Sequence, residues 1–342
     1  MTSRNISLRQ LGNELVHCFD DTAEDSSDLR QVISLGERNV TLIHHSTRTR
    51  RSMGRAFEHL EIEEISEPTA ELRVGSGRSV GLPRDLTEHL APGRSITQGS
   101  VVARTDGQGI LVVQPDNFSW WDAGSDSGIW WAVDNPVRPS LRATPMRSLL
   151  GEWGRSARWP IVHGAAVGVD DRVAVIAAAP MSGKSTLSIA ALLAGMTFYG
   201  DDYFMLDIDH LRVIGLYATA MLDDQSLSLL GSGGTRLIVN EGKAELGRSV
   251  IDLADDPLLG RTGSISTLIV PTIVPGASPQ ISPLSPMQAL RSIALTSTVF
   301  SSDQRALALE GLGALCRNLP CFQLIIGDDP FEALPLVRRA LG

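Results

Sequence analysis

The pattern of hydrophobic and polar positions changes along the chain near residue 140. Before that point, short apolar runs separated by polar and glycine-containing stretches predict strands over residues 40–43, 70–74 and 109–113. We therefore predict a β-rich, loop-rich N-terminal domain over residues 1–140. One function that we consider for this domain is recognition of the substrate.

A tryptophan-rich segment closes this first part, since all six tryptophans lie between Trp120 and Trp159. Trp120-Trp121 and Trp130-Trp131 flank a turn-rich stretch, and this arrangement predicts a β-hairpin with aromatic residues on both arms. Two interpretations stay open. The rings either pack across the strands and against a neighbouring domain, or they form an aromatic wall for a peptide or ring ligand.

Prolines then separate this part from the rest of the chain. Asn135-Pro136 and Arg138-Pro139 predict a linker. Thr144-Pro145 predicts the start of a helix, with Thr as the N-cap and Pro in the first turn. The apolar residues of that helix follow helical spacing and are expected to face a core: Met146, Leu149, Leu150 and Trp153.

From Ile161 onward the sequence alternates strands with a helix, which predicts an α/β domain over residues 141–342. The expected elements, in order, are a strand over 161–167, a hairpin-type turn at Asp170-Asp171, a buried strand over 173–178, a helix over 184–194 ended by Gly195, and short strands over 197–199 and 203–206. Near the C-terminus, Asp329-Pro330 predicts a further helix start, with Pro335 at a kink or a restart.

Composition and charge exclude several classes of function. The net charge is -9, and there is no basic block that could neutralise phosphates, so nucleic acid is not expected as the main partner. Residues 1–9 lack the apolar stretch of a signal peptide, and no apolar run is long enough to span a membrane. We expect a cytoplasmic protein.

The metal-binding residue types are too sparse for a structural metal site. The three cysteines do not make a disulfide framework, and Cys316 and Cys321 lack the CxxC spacing of zinc ligands. His44-His45 has no third ligand nearby. We expect inert core thiols and ordinary strand or surface histidines at these positions.

Lysine is rare in this chain, since Lys184 and Lys243 are the only two among 30 lysine and arginine residues. Lys184 follows an apolar strand and a glycine, which is the context of a Walker A loop, G-x4-G-K-[ST]. The stretch from Ala178 to Ser185 matches this pattern except that Ala178 replaces the first glycine. If that position needs a positive φ, the replacement costs about 1–2 kcal/mol.

The motif assigns a nucleotide-binding role to the whole loop and the first turn of the helix. Lys184 is expected to contact the β- and γ-phosphates, and the Ser185 hydroxyl is expected to bind Mg²⁺. The unpaired N–H groups and the positive dipole end of the helix favour phosphate at the same place. The expected binding residues are Ala179, Pro180, Met181, Ser182, Gly183, Lys184, Ser185 and Thr186.

Two large classes of P-loop protein do not fit. A Ras-like GTPase needs an N-K-x-D guanine reader, and Lys243 lies in Glu-Gly-Lys-Ala instead. The glycine-rich segment 230–234 is faintly similar to a transporter ATPase signature, but no Walker B stretch follows it. We therefore predict that 230–234 is a flexible loop.

A short-range set of polar residues is more informative. His163 lies on the strand before the P-loop strand, and Asp201-Asp202 follows the P-loop helix after one short strand. This spacing can return both carboxylates to the phosphate end of the site. One carboxylate can then hold Mg²⁺, and the other can accept a hydroxyl proton as the nucleophile attacks the γ-phosphate.

His163-Gly164, the loop ending in Gly183-Lys184-Ser185, and Gly200-Asp201-Asp202 together resemble the catalytic domain of the HPr kinase/phosphorylase family. The resemblance covers roughly residues 144–342 and is specific mainly over 161–207. It implies that the C-terminal part is an α/β P-loop kinase domain with a fold similar to phosphoenolpyruvate carboxykinase; the β-rich N-terminal domain before it is predicted from the sequence pattern alone. It also implies that ATP and Mg²⁺ are used, that Asp201 and Ser185 hold the metal, and that Asp202 and His163 line the γ-phosphate, with Asp202 as the base.

The chain also departs from the family. Its loop has fewer glycines, and neither the second signature of HPr kinases nor their N-terminal region is found. HPr is therefore not the expected acceptor. The layout is closer to HPr-kinase-like proteins that phosphorylate a serine of a ribosomally made peptide, such as a lasso-peptide precursor. Residues 217–222 resemble a recurrent segment of these relatives, with Met221 where a lysine is expected.

The resemblance favours an ATP- and Mg²⁺-dependent serine kinase acting on a peptide or small protein. Two alternatives stay open: a nucleotide-binding regulatory module without transfer, and a small-molecule kinase. HPr kinases are hexameric, so homo-oligomerisation is open for this chain by analogy.

Overall fold

The structure is a computed structural model that describes residues 7–63, 68–77, 102–105, 109–114, 117–133, 137–236, 238–243, 247–294 and 302–342. These residues form a mixed α/β protein with seven-stranded, nine-stranded and three-stranded sheets. The chain divides into two compact units. Unit 1 comprises residues 1–55 and 60–153, and unit 2 comprises residues 56–59 and 154–342.

Unit 1 is built on the seven-stranded sheet, in the order β1-β2-β3-β7-β6-β5-β4. The β2–β3 and β3–β7 pairs are parallel, and the other pairs are antiparallel. The elements, with α4 running into unit 2, are α1 (Leu8–Thr22), β1 (Arg30–Leu35), β2 (Arg38–His44), α2 (Thr47–Met53), β3 (Ala70–Ser76), β4 (Val102–Thr105), β5 (Gly109–Val113), β6 (Asn117–Asp122), β7 (Ser127–Ala132), α3 (Pro139–Ala143) and α4 (Arg147–Arg155).

The predicted tryptophan hairpin is present as β6 and β7, but its rings form no ligand wall. Trp120, Trp121, Trp130 and Trp131 are all buried, at most 3% exposed. Trp120 and Trp131 pack in a core cluster with α1, a helix that the sequence analysis did not predict. The interpretation of these rings as a wall for a peptide or ring ligand is therefore wrong.

The division between the units falls after Trp153 instead of at residue 140. The reason is the packing of α4, because the Ser148 hydroxyl is 2.8 Å from that of Ser119 and Leu149 lies against Gly128 of the hairpin. Helix α4 begins at Arg147, so the predicted start at Thr144-Pro145 is wrong: Met146 has a φ of 57°. The Asn135-Pro136 part of the predicted linker lies outside the described residues, and Arg138-Pro139 leads into α3.

Unit 2 contains the nine-stranded and three-stranded sheets. Its elements are β8 (Ile161–His163), β9 (Ala165–Val169), β10 (Arg172–Ile176), α5 (Lys184–Leu193), β11 (Thr197–Gly200), β12 (Tyr203–Asp207), β13 (Arg212–Ile214), β14 (Thr219–Leu222), α6 (Asp224–Arg236), β15 (Ile238–Lys243), β16 (Ser249–Asp252), β17 (Thr262–Ile273), β18 (Gln280–Leu284), α7 (Pro286–Ile293), α8 (Ser302–Asn318), β19 (Cys321–Ile326) and α9 (Pro330–Leu341).

The large sheet runs β11-β9-β10-β17-β13-β12-β8, and β19 pairs with the second half of β17. Strands β10, β17 and β19 are parallel to one another, so their carboxyl ends lie at one edge. One core cluster packs α5 and α9 on the sheet. A second cluster joins β12 and β13 to α7 and α8. Ligands of α/β sheets bind at the carboxyl ends of parallel strands, which directs attention to this edge.

Three local predictions for unit 2 need correction. The apolar run 161–167 forms two strands, because β8 pairs with β12 while β9 pairs with β10 and β11, and Gly164 lies at the break. Segment 230–234 is helical within α6, with one non-helical residue, Gly231. Pro335 lies inside α9 and does not restart it, because the helix runs from Pro330 to Leu341 with Asp329 as its N-cap.

None of the three cysteines forms a disulfide among the described residues, and Cys316 and Cys321 are buried. Among the residues that the structure describes, no helix combines the length and apolar character needed to cross a membrane.

Candidate functional site

The predicted phosphate-binding loop connects β10 to α5 at the carboxyl edge of the parallel strands. Gly183 is the N-cap of α5 and has a φ of 88°, a left-handed conformation that glycine adopts without strain. Met181 has a φ of 62° and is 88% exposed at the loop. Ala178 does not have a positive φ, so replacing the Walker A glycine with alanine costs no backbone strain here.

Lys184 is the first residue of α5, and its ammonium group is turned back onto the loop. Its Nζ donates to the carbonyl oxygens of Ala178 and Ala179, both at 3.0 Å. The residue is only 6% exposed, and burial lowers the pKa of the ammonium group, while the charges of Asp201 and Asp202 act in the opposite direction. The lysine therefore holds a buried positive charge at the helix N-terminus, where phosphate binds favourably.

Asp201 is the least solvated carboxylate of the site. It is 1% exposed, and neither carboxylate oxygen has a partner that meets hydrogen-bond geometry among the described residues. Burial, reinforced by the negative charge of Asp202, raises the pKa of the Asp201 carboxyl to about 7. The nearby Ser185 hydroxyl and Lys184 ammonium lower that pKa but do not offset the burial.

Asp202 and His163 form a polar pair beside the loop. The Oδ1 of Asp202 lies 3.7 Å from the Nε2 of His163, and Asp202 has a φ of 62°. The Gly164 N–H donates to the Asp202 carbonyl at 3.1 Å, which ties the β8–β9 break to the β11–β12 turn. The Tyr203 ring packs on the His163 ring with centroids 5.3 Å apart. The break at Gly164 is therefore what places His163 beside the acidic pair.

A cavity of about 490 Å³ opens over these groups. Its volume is in the range of small-molecule sites. It brings together predicted site residues from three segments of the chain: His163, Asp202, and the loop and helix residues Pro180, Met181, Gly183, Lys184, Ser185 and Thr186. Ala179, Ser182 and Asp201 are not part of the lining, although all three adjoin residues that are.

One wall of the cavity comes from residues that the sequence analysis did not assign to the site. Arg248 precedes β16, and Asp223 caps α6 by accepting the Ser226 N–H at 2.7 Å. Burial is the main cause that lowers the pKa of Lys184, and the Ser226 N–H is the main cause that lowers the pKa of Asp223. The positive charge of Arg248 adds to both shifts. Thr186 donates to the Ser226 hydroxyl at 2.8 Å, which joins α5 to this wall. The cavity therefore carries two cationic side chains.

The opposite wall is largely apolar and was also not predicted. It is formed where β17 and β19 end, by Ile273, Pro275, Ile326, Gly327, Asp328 and Pro330. Met221, at the position where the family resemblance predicts a lysine, lines the cavity together with Leu229.

The residues present suit a divalent cation that is held jointly with phosphate. Asp201 offers buried carboxylate oxygens without partners, and Ser185 offers a hydroxyl close to them. In the described part of the chain, no group of three or more His, Cys, Asp or Glu could hold a metal ion alone. This donor set fits Mg²⁺, which binds through one or two protein oxygens, substrate phosphates and water.

Comparison with known proteins gives limited similarity. No protein-family model matches the chain, and no curated protein matches it. The matching solved structures include the HPr(Ser) kinase/phosphatase from Coxiella burnetii. The match covers 53% of this chain and 92% of that chain, with 15% sequence identity and a TM-score of 0.27. A TM-score of this size does not establish a shared fold.

Proposed function

We propose that unit 2 is an ATP- and Mg²⁺-dependent kinase that transfers the γ-phosphoryl group to a serine hydroxyl of a peptide or small protein. One observation carries this proposal. A buried lysine at a helix N-terminus and an Asp–His pair line one cavity, and the buried Asp201 carboxylate adjoins that lining. Phosphoryl transfer requires these parts.

The donor phosphates are expected at the N-terminus of α5. Lys184 would exchange its contacts with the Ala178 and Ala179 carbonyls for the β- and γ-phosphate oxygens. Arg248, on the facing wall, supplies a second positive charge to the same space. Two cations acting on each other across a cavity are unfavourable until an anion lies between them, so the arrangement favours a polyphosphate ligand.

Asp201 and Ser185 are the residues that would hold the metal ion. Bound Mg²⁺ would neutralise charge on the transferred phosphoryl group. Asp201 also acts through its own charge, because a carboxylate this deeply buried is stabilised when a cation arrives.

Asp202 is assigned as the general base. The acceptor hydroxyl transfers its proton to the Asp202 carboxylate as its oxygen bonds to the γ-phosphorus. The bond from that phosphorus to the β–γ bridging oxygen breaks, and ADP leaves. His163, 3.7 Å from Asp202 and packed on Tyr203, holds the carboxylate in place. Its removal should lower kcat more than it changes the affinity for ATP.

A test should separate binding from transfer. The protein is incubated with ATP, Mg²⁺ and serine-containing peptides, and mass spectrometry measures the gain of one phosphoryl group. Lys184→Ala should lose ATP binding and transfer, whereas Asp202→Asn should lose transfer and keep ATP binding. Asp209→Asn, at an exposed residue paired with Arg158, is the control and should keep both. Full transfer in both site variants would exclude the proposed roles.

A second candidate is a nucleotide-binding regulatory module without transfer. Met221 favours it, because an apolar side chain lines the cavity at the position where the family resemblance predicts lysine. ATP binding by calorimetry, with neither phosphopeptide nor ADP formed, would support this candidate. Phosphorylation of free metabolites but of no peptide would instead favour a small-molecule kinase.

A further inference from the structure

The cavity is asymmetric along the edge of the sheet. At its carboxyl end, β10 has β9 on one side, with Ile176 opposite Ala165, and β17 on the other, with Ile176 opposite Ile269. The β9 side carries the polar pair of His163 and Asp202. The β17 side leads to the apolar wall, so the loop lies between a polar end and an apolar end.

The apolar end rises above the loop because two strands extend past the end of β10. Strand β17 continues to Ile273, whose register partner on β19 is Ile326. The two side chains adjoin the start of α5: a Cβ added at Gly183 would lie 3.2 Å from Ile273 and 3.4 Å from Ile326. A ligand with its phosphates on α5 therefore meets these isoleucines next.

Prolines complete a slot with a fixed shape. Pro275 follows β17 and Pro330 begins α9, and both line the cavity together with the two isoleucines. We call these four residues, Ile273, Pro275, Ile326 and Pro330, the isoleucine slot. Ile273 is 46% exposed, which leaves apolar surface that a ligand can cover.

The polar groups beside the isoleucine slot are already engaged. Both carboxylate oxygens of Asp328 accept the Gly276 N–H, each at 3.1 Å, and this contact fixes the loop that carries Pro275. Among the described lining residues at this end, no other side chain has a hydrogen-bonding group. A flat ring can therefore be held between apolar side chains, but few side chains can read its edge.

We propose that the isoleucine slot holds the purine base of the nucleotide whose phosphates bind at Lys184, and that it binds adenine and guanine with similar affinity. The proposal rests on the proposed function, since it assumes a nucleotide on α5. It follows that the acceptor hydroxyl approaches from the opposite, His163 and Asp202 end.

Binding measurements on four ligands and three variants test this assignment. Calorimetry in Mg²⁺ compares ATP, GTP, tripolyphosphate and a serine-containing peptide that the parent phosphorylates, each with the whole protein. Ile273→Ala should weaken ATP and GTP by about fivefold, which corresponds to about 1 kcal/mol, because a half-exposed Ile loses part of its contact with the base. Tripolyphosphate, which has no base, should bind Ile273→Ala as well as it binds the parent.

The matched control is the next residue, Val274, which is 38% exposed but does not line the cavity. Val274→Ala should leave all four ligands unchanged. Lys184→Ala should weaken ATP, GTP and tripolyphosphate alike. If Ile273→Ala leaves ATP unchanged and weakens the peptide, the slot holds the acceptor and the proposal is wrong. A parent protein that prefers ATP over GTP by a hundredfold would overturn the loose base selectivity.

These outcomes separate the two proposals. If Lys184→Ala lowers ATP affinity while Ile273→Ala has no effect on it, nucleotide binding stands and the base lies elsewhere. If neither ATP nor tripolyphosphate binds the parent, the proposed kinase function is wrong, and the proposal for the isoleucine slot, which depends on it, is wrong as well.

Discussion

The Asp201→Asn substitution should stabilise the ligand-free protein at alkaline pH while it removes a residue assigned to the site. The structural reason is that Asp201 is 1% exposed and neither carboxylate oxygen is in a hydrogen bond of good geometry among the described residues. The Ser185 hydroxyl and the Asp202 N–H lower its pKa but do not offset the burial. Ionising such a group in the folded state is costly. Asn has nearly the same shape and carries no charge, so the substitution removes the charge without leaving a void.

The size and the sign of this stability change follow from the pKa of Asp201. The pKa of Asp201 rises from its ordinary value of 3.8 to about 7 on folding. Between these values the folded state holds a proton that the unfolded state has released, so stability is present at low pH and is lost as pH rises through 7. The full loss is on the order of 4 kcal/mol. An Asn amide is itself a buried polar group without partners, which offsets part of the gain, so we expect about 2 kcal/mol at pH 8.

Urea unfolding at pH 8 and at pH 5 measures both parts of this prediction. The variant should be more stable than the parent at pH 8. At pH 5 the folded-state carboxyl is still protonated, so the parent has lost less stability, the buried amide of the variant offsets that loss, and the two proteins should be nearly equal. The matched control is Asp207→Asn, because buried Asp207 accepts the N–H groups of Asp209 and His210 and pairs with the His210 ring at 2.9 Å. That control should lose about 1 kcal/mol or more at pH 8. If Asp201→Asn loses stability as Asp207→Asn does, the Asp201 carboxylate has a partner in the protein and the reasoning is refuted.

Further predictions concern the loop, the second cation and a buried histidine. Met181→Gly should raise the free energy of unfolding by about 1 kcal/mol, because Met181 is exposed and its φ of 62° strains any residue other than glycine. An unchanged midpoint of urea unfolding would contradict this prediction. Arg248→Ala should weaken ATP and tripolyphosphate binding by about tenfold, with Arg248→Lys recovering part of it in calorimetry. Burial lowers the pKa of His44 to about 3, so below pH 6.5 the unfolded state binds a proton that the folded state does not. The parent should therefore lose about 1.4 kcal/mol per pH unit relative to His44→Asn as pH falls from 6 to 4, measured by urea unfolding.

The sequence allowed prediction of those parts of the site that are close together in the chain. The order of strands and helix in this segment brings three features to one edge of the large sheet: the loop, Lys184 and the Asp201-Asp202 pair. Arg248 and Ile273 could not be assigned in this way, because their position depends on which strands pair with β10 and β16. No local pattern carries that information.

The parts of the fold that were predicted incorrectly, or not at all, also have local causes in the sequence. The run 161–167 is uniformly apolar, so nothing in its pattern marks the change of partner strand at Gly164. Helix α1 had a readable signal that was missed: Ser7 and Gln10 form a capping box, followed by apolar residues at helical spacing. The pattern of the tryptophans predicts the hairpin, but the burial of Trp120 and Trp131 depends on α1, which packs against them.

The central claim is that this cavity transfers a phosphoryl group, and one measurement tests it most directly. Radiolabelled γ-phosphate is followed from ATP into serine-containing peptides and into matched peptides with alanine at the acceptor position, using the parent and Asp202→Asn. We expect label in the serine peptides with the parent only, while ATP affinity is equal in both proteins. Equal labelling by the parent and Asp202→Asn, or ATP binding by the parent without any label transferred, would contradict the account.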